Sequence, residues 1–448
     1  MPAFKRRPRV FYGWYVLAAS FVILFLNSGA RYVIGIMVKP MSDEFGWSRG
    51  AISSAIFVNM AVYAVSALIA GRLYDRYGPK WVIAGSTLLF AAGYALMATM
   101  HNLWEFLLYF GVVSSAGIGG TNVVLFGPLI GKWFEKWRGF VISLAFAGGC
   151  VGQFVLLPVF SSMITHSGWR TTCLWIAGLS VVVNAVLAFG IIRGDPKKFG
   201  VQPFGRERRE ELDDAVQAEP GVPAIAEARR DLTLAEAMRT RSLWLFTAVM
   251  FICGGADTLI TTHLVPMVTD YGLSTGTAAS MLAWLGLVSL GGLLIAGPAA
   301  DAIGNKIPIA ITFALRIVLF VMLFTVKGTV AFWIFSLGFG LTLLVTAPLN
   351  ATLIGDLYGM TNLGFISGFV NTVHMLGGGL WAYLGGLIYD RTGGYDLALT
   401  ISAGLAGVAI VGTLLIREKR HLPVGLAGTV GEHLAGAVEP DGAQRVLE

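Results

Sequence analysis

The chain has 448 residues, of which 56% are hydrophobic and only 13% charged. Soluble domains carry roughly a quarter charged residues, so this composition excludes an ordinary soluble enzyme or binding module. The net charge of +6 would suit a polyanionic partner, but the basic residues stand in short clusters between apolar runs, as membrane topology requires, and no nucleic-acid partner is expected.

In chain order, Lys5, Arg6, Arg7 and Arg9 precede an apolar run from Trp14 to Val38. That run is longer than a signal-peptide core and has no small-residue cleavage pattern, so it reads as a first membrane span. A spanning helix needs about 20 mostly apolar residues. Twelve stretches qualify: 14–38, 51–70, 81–100, 106–130, 140–163, 172–192, 243–267, 278–300, 307–326, 328–355, 364–388 and 397–416. These are segments 1 to 12. With both termini placed in the cytoplasm, 25 of the 32 Lys and Arg residues fall on the inner side, five on the outer side, and Arg31 and Arg316 within spans. That asymmetry sets the orientation.

The expected organisation is all-α: an N-terminal six-helix half (1–192), a cytoplasmic linker (193–242), a C-terminal six-helix half (243–420) and a cytoplasmic tail (421–448). Between Arg193 and Arg241 the linker carries ten basic and ten acidic residues plus four prolines, a composition that predicts disorder over most of it. Near its end Thr233 and Glu236 match a capping box and predict a short helix. The Gly- and Ala-rich tail is also read as disordered.

The halves repeat. Pro40, Gly46 and Ser48 recur 226 residues on as Pro266, Gly272 and Ser274, and Gly71, Asp75, Gly78 and Lys80 recur as Gly297, Asp301, Gly304 and Lys306. Gly131, Gly139 and Phe140 correspond to Gly355, Gly364 and Phe365 at an offset of 224 or 225. Two similar six-helix halves are an architecture of transporters, with the substrate site near mid-membrane at their interface.

A charged side chain inside a span costs about 2.5–3.5 kcal/mol on insertion scales and rarely faces lipid. Arg31, Asp257 and Arg316 are such residues, and His263 and His374 also lie within spans. Arg31 and Asp257 differ by the repeat offset, which makes them symmetry mates on segments 1 and 7. Two readings are open. Arg31 grips a substrate carboxylate through its planar fork, with Asp257 as switchable partner, or the two form a fixed ion pair. Asn27 and Thr261, one turn from each, can add hydrogen bonds. His374 can relay protons or simply pack between helices. His263, near the outer end of segment 7, is expected in a wetted interfacial place. Arg316 can be structural or functional. Asn122 follows a glycine-rich stretch of segment 4 and is a candidate substrate ligand.

No nucleophile–base spacing, phosphate-binding loop or metal-ligand cluster is present, so neither an enzyme nor ATP-powered transport is expected, and no cofactor or metal. Cys150, Cys173 and Cys253 each lie in an apolar stretch with no metal-binding spacing and read as buried small side chains.

GRLYDRYGPK, Gly71 to Lys80, matches the G-x-L-x-D-R-x-G-x-K/R motif of the major facilitator superfamily at every specified position, and the twelve spans and half-chain repeat extend the resemblance over most of the chain. The resemblance implies a cytoplasmic gate of Gly71, Asp75, Arg76, Gly78, Lys80 and Asp301 whose charge contacts close in one state and break in the other. The second copy has Ala302 in the place of Arg76, so the latch is expected to be asymmetric. FYGWYVLAASF in segment 1, GKWFEKWRG after segment 4, Gly168-Trp169-Arg170 after segment 5 and YDRTGGY after segment 11 resemble the monocarboxylate and oxalate/formate porter branch. That branch implies small organic anions, carried with a proton or exchanged for another anion, in a plasma membrane (the inner membrane if the source is bacterial). The sequence departs from it in segment 8, which lacks the branch's arginine, and in segment 11, which lacks the oxalate carriers' lysine. In segment 5, AGGCVGQFVLLP lacks the glycine-proline pair of many drug-efflux carriers, so efflux of amphiphiles is the second reading. A non-transporting membrane sensor is the third.

Overall fold

The computed structural model describes residues 11–196, 201–205, 232–359 and 362–416. They are helical almost throughout, with no strand beyond one isolated bridge between Phe134 and Phe204. Ten helical runs are long and apolar enough to cross a membrane. One of them, Arg138–Gly190, holds segments 5 and 6, which part at Gly168 (φ 80°, ψ 159°). Segment 4, broken into Leu103–Ile118 and Val123–Trp133, completes twelve spans.

Local chemistry sets the ends. Ser48 and Ser274 N-cap segments 2 (Arg49–Tyr77) and 8 (Thr275–Ile303), their hydroxyls accepting from the N–H of Ala51 and Thr277 at 3.2 and 3.1 Å. Segments 2 and 8 both stop at a glycine with positive φ, Gly78 (82°) and Gly304 (81°), a conformation costly for any residue with a Cβ. The sequence repeat is thus a repeat of turn chemistry. Segment 3 (Pro79–Met97) then starts on a proline, whose missing N–H costs nothing at a first helical turn.

Three expected spans differ in detail. Segment 1 continues beyond Val38, as Gly13–Tyr32 and Ile34–Phe45 with a turn at Val33 between them. Segment 4 is π-helical over Leu107–Ser114 and unwinds at 119–122. Segment 10 divides into Thr329–Leu343 and Thr346–Tyr358. Pro348 contributes to that break, because it has no N–H to offer the carbonyl of Leu344. The two breaks sit at matching places in the two halves.

Within each half small residues let helices touch. Gly148 and Gly152 of segment 5 face the backbone of Phe21 and Phe25 in segment 1, and Gly254 of segment 7 (Arg241–Asp270) faces that of His374 in segment 11 (Leu363–Thr392). Side chains larger than hydrogen at these points would hold the backbones apart. The short helix Leu234–Ala237 has the expected capping box of Thr233 and Glu236.

Both described chain ends lie on one face of the bundle, the near face. Two points of the linker are tied there. Phe204 exchanges backbone hydrogen bonds with Trp133, Glu135 and Lys136, and its ring joins those of Phe11, Trp14 and Phe134. Leu232 donates to the carbonyl of Tyr358. Linker residues 197–200 and 206–231 and the tail fall outside the described residues.

Candidate functional site

Among the described residues, the polar contacts joining the two halves lie at the far face or in mid-membrane. The strongest group centres on Arg49, the first residue of segment 2. Its guanidinium donates to both oxygens of Asp270 at the end of segment 7 (2.7 Å each) and to the Tyr395 hydroxyl (2.8 Å), and it stacks 3.7 Å from the Tyr389 ring centroid. The Arg49 and Gly50 amides, left unpaired by the helix start, donate to the two oxygens of Asp390 at 2.9 and 2.7 Å. Below this, Tyr395 meets Nδ1 of His263 at 3.0 Å, and His263 Nε2 lies 2.9 Å from the Ala382 carbonyl. The ring is fully buried. The expectation of a wetted His263 is therefore corrected: segments 2, 11 and 12 close over it. Deeper still, Gln153 of segment 5 donates to the Leu282 carbonyl at 2.8 Å.

The near face is different. Its described polar contacts stay within one half, such as Asn305 Nδ2 to Asp356 (2.9 Å) and Thr240 to Tyr358 (2.8 Å). Gly71, Asp75 and Arg76 are exposed and so is Asp301, and among the described residues Arg76 lies over the ring of its neighbour Tyr77; Gly78 and Lys80 are half-buried at the turn. Among the described residues, polar contacts join the halves at the far face and none is seen joining them at the near face.

Between these faces the intramembrane charges meet. Arg31 is half-buried in segment 1, with Nη2 3.3 Å from the Met60 sulfur and its guanidinium 4.9 and 6.0 Å from the ring centroids of Tyr63 and Tyr32. It has no carboxylate partner among the described residues. The aromatic faces offset part of its charge, a contribution of order 0.5–2 kcal/mol.

Asp257 pairs elsewhere. Its Oδ1 lies 2.7 Å from Nη2 of Arg316 in segment 9 (Lys306–Thr325), close as a charge pair but out of line for an N–H bond. Oδ2 faces Nε2 of His374 at 3.9 Å and the Cys253 thiol at 3.6 Å. The expected pairing of Asp257 with Arg31 is therefore corrected for this conformation: the fully buried Arg316 is nearer and holds the carboxylate. Arg31 and Asp257 are nonetheless within electrostatic reach of common neighbours, since both charges act on Tyr32 and both act on His374.

His374 is oriented by a second bond. Its Nδ1 stands 3.0 Å from the Met250 carbonyl. A carbonyl only accepts, so Nδ1 carries the proton and a neutral ring turns the lone pair of Nε2 towards Asp257. Two acceptors then face each other, an arrangement completed by one proton. Cys253, Asp257 and His374 bring potential ligand atoms within 4.8 Å of one another. The fixed positive charge of Arg316 beside them opposes a divalent cation and leaves room for a proton.

Three other sequence candidates are placed differently. Asn27 turns away from Arg31, its Oδ1 accepting from Asn184 in segment 6 at 3.2 Å, and Asn184 also donates to Thr87. Asn27 thus belongs to packing within the N-terminal half. Thr261 spends its hydroxyl on the carbonyl of Asp257 in its own helix. Asn122 is buried at the break in segment 4, where its carbonyl accepts from Leu125 and starts the next helix. Sequence reasoning missed the Arg49 group. One signal was available: cations are scarce on the far side, and three of the five there, Arg49, Arg170 and Lys327, are held in ion pairs.

The Major Facilitator Superfamily model matches residues 20–382 and 246–437. The chain belongs to this superfamily. It is a multi-pass membrane transporter and not an enzyme. It is 25% identical over 415 residues to the uncharacterized MFS-type transporter YcxA of Bacillus subtilis, covering 89% of this chain and 93% of that one. It is 21% identical over 421 residues to the oxalate:formate antiporter of Oxalobacter formigenes (92% and 93% covered), and 25% over 409 residues to human monocarboxylate transporter 11 (88% and 80% covered). The solved structure of the nucleoside transporter NupG superposes with a TM-score of 0.69 at 12% identity, covering 91% of this chain and all of that one. That likeness concerns the fold.

Proposed function

We propose that this superfamily member carries small organic monoanions across a plasma membrane, coupled to a proton or to a counter-anion, by alternating access. The observation that carries the reading is Arg31: a cation inside the membrane, without a carboxylate partner among the described residues, whose charge reaches the His374 of a carboxylate–imidazole pair. One uncompensated cation suits one carboxylate, whereas a dianion would call on a second free cation. The Tyr32, Tyr63 and Met60 side chains around it suit an apolar carbon skeleton. The likeness to an oxalate:formate antiporter and to a monocarboxylate transporter supports an organic anion as cargo.

In this reading the near face is cytoplasmic, as the charge asymmetry requires, and the conformation faces inward with its outer side closed by the Arg49 group. The exposed Asp75 and Arg76 are then an opened cytoplasmic latch. Substrate entering from inside meets Arg31. Asp257, already held by Arg316, does not have to release Arg31 first, so a proton on the Asp257–His374 pair and an anion on Arg31 can neutralise two nearby charges in one step.

The test is uptake of a panel of labelled mono- and dicarboxylates into proteoliposomes, with and without an imposed pH gradient. Saturable uptake of at least one monocarboxylate, accelerated by inward proton flow or by a trans anion, is expected. Uptake confined to neutral or cationic amphiphiles would reject it.

A further inference from the structure

We infer that Arg316 is a positioning residue that ties the charge state of Asp257 to the break in segment 10. The inference rests on the reading of Asp257 as a proton site and adds the part through which occupancy reaches the gate.

The break leaves backbone groups without helical partners in mid-membrane, where no water satisfies them. Arg316 supplies what one side lacks. Its Nη2 donates to the Thr342 carbonyl at 3.0 Å and its Nε to the Thr342 hydroxyl at 3.0 Å. Across the break, the Thr346 hydroxyl lies 3.4 Å from the Cys253 sulfur. Arg316 Nη1 is within 3.5 Å of the Cys253 carbonyl and sulfur. Both lips of the break are therefore held by groups that also touch Asp257, and Nη2 serves Thr342 and Asp257 at once. The Phe339 ring, 4.8 Å away, shields one face of the guanidinium.

Among the described residues, the charged and titratable groups facing Asp257 are Arg316 from segment 9, His374 from segment 11 and Cys253 from its own helix, with Tyr32 of segment 1 within electrostatic reach, while segment 10 brings Thr342 and Thr346 to the group. When Asp257 is ionised, Arg316 is divided between a carboxylate and a carbonyl. A proton on Asp257 removes the stronger attraction, and the guanidinium must then satisfy itself on Thr342 or turn to an entering anion. Either changes the support of the break. The helix beyond it, Thr346–Tyr358, ends at Tyr358, which meets Thr240 below segment 7 and Leu232 of the linker. A change at the break therefore reaches the near face through one rigid helix.

The experiment is hydrogen–deuterium exchange of peptides spanning residues 340–350 of the full-length protein in nanodiscs, between about pH 5 and pH 8, corrected for intrinsic exchange. The wild-type chain is expected to show a pH-dependent change in protection at the break. Asp257→Asn and Arg316→Gln should each lose that dependence, and Arg31→Ala should keep it, since Arg31 does not touch segment 10. Thr342→Val, which removes only the hydroxyl contact, is the second variant should Arg316→Gln fail to fold, and it should shrink the change. A wild-type chain without the change overturns the inference. So does Arg316→Gln, or Thr342→Val in its place, keeping the full pH dependence. If Asp257→Asn alone loses it, Asp257 stands as a proton site and the link through Arg316 falls.

Discussion

Arg316 and Asp257 form a buried pair in which neither partner can be removed singly without leaving an uncompensated charge. Breaking such a pair costs about 3–5 kcal/mol, whereas removing both partners together is far less costly. Asp257→Asn and Arg316→Gln are therefore each expected to lower thermal stability markedly, and the double variant to recover most of the loss. Arg31→Gln combined with Asp257→Asn should show no such recovery. A thermal-shift double-mutant cycle checks both, and strong coupling between Arg31 and Asp257 would restore the pairing first read from the repeat. The sequence made all three charges visible, because charge inside an apolar run is conspicuous. It could not tell which met, since the 226-residue offset relates positions by symmetry and not by contact. Segment 9 brings its arginine inward, against Cys253 of segment 7 and Thr342 of segment 10.

The recurring caps show what was legible in the elements. Ser48 and Ser274, and Gly78 and Gly304, mark real turns because their roles depend on local backbone geometry. The breaks in segments 4 and 10 were not read from hydropathy, which runs on past them, although Gly119-Gly120-Thr121-Asn122 and Pro348 mark them; in segment 10 the freed groups are met by Arg316 from a distant helix. The Arg49 group escaped for the same reason: its partners are 221 and 341 residues away. With charge-assisted hydrogen bonds each worth about 1.5–3 kcal/mol, Arg49→Ala is expected to open the far face. Impermeant thiol reagents should then modify a cysteine placed at Ser53, buried one turn below the lock, several-fold faster than in the parent, and equal rates would remove the lock. At the near face, Asp75→Asn should bias the carrier further towards the near-open state and slow transport, measured as near-face thiol accessibility and turnover in proteoliposomes. Unchanged accessibility and unchanged rate would deny the latch role.

For the whole molecule, polar contacts that tie the halves at the far face and not at the near face fit the proposal that the halves rock about the region of Arg31 and Asp257. The proposed orientation rests on the charge asymmetry and is tested directly: Asn102→Cys should react with an impermeant reagent added outside intact cells, and a cysteine at Arg209 should not. The central claim, that Arg31 receives the anion while the Asp257–His374 pair receives the proton, is tested most directly by proton uptake on substrate binding. The purified protein in weakly buffered solution is titrated with the monocarboxylate identified by the uptake panel, while a pH indicator and calorimetry are read together. Wild type is expected to take up a proton as it binds the anion. Asp257→Asn should still bind, with that uptake lost. Arg31→Ala should bind about 10- to 100-fold more weakly, the equivalent of losing about 1.5–3 kcal/mol of charge-assisted contact. Near-normal affinity in Arg31→Ala, with proton uptake intact, would contradict the account.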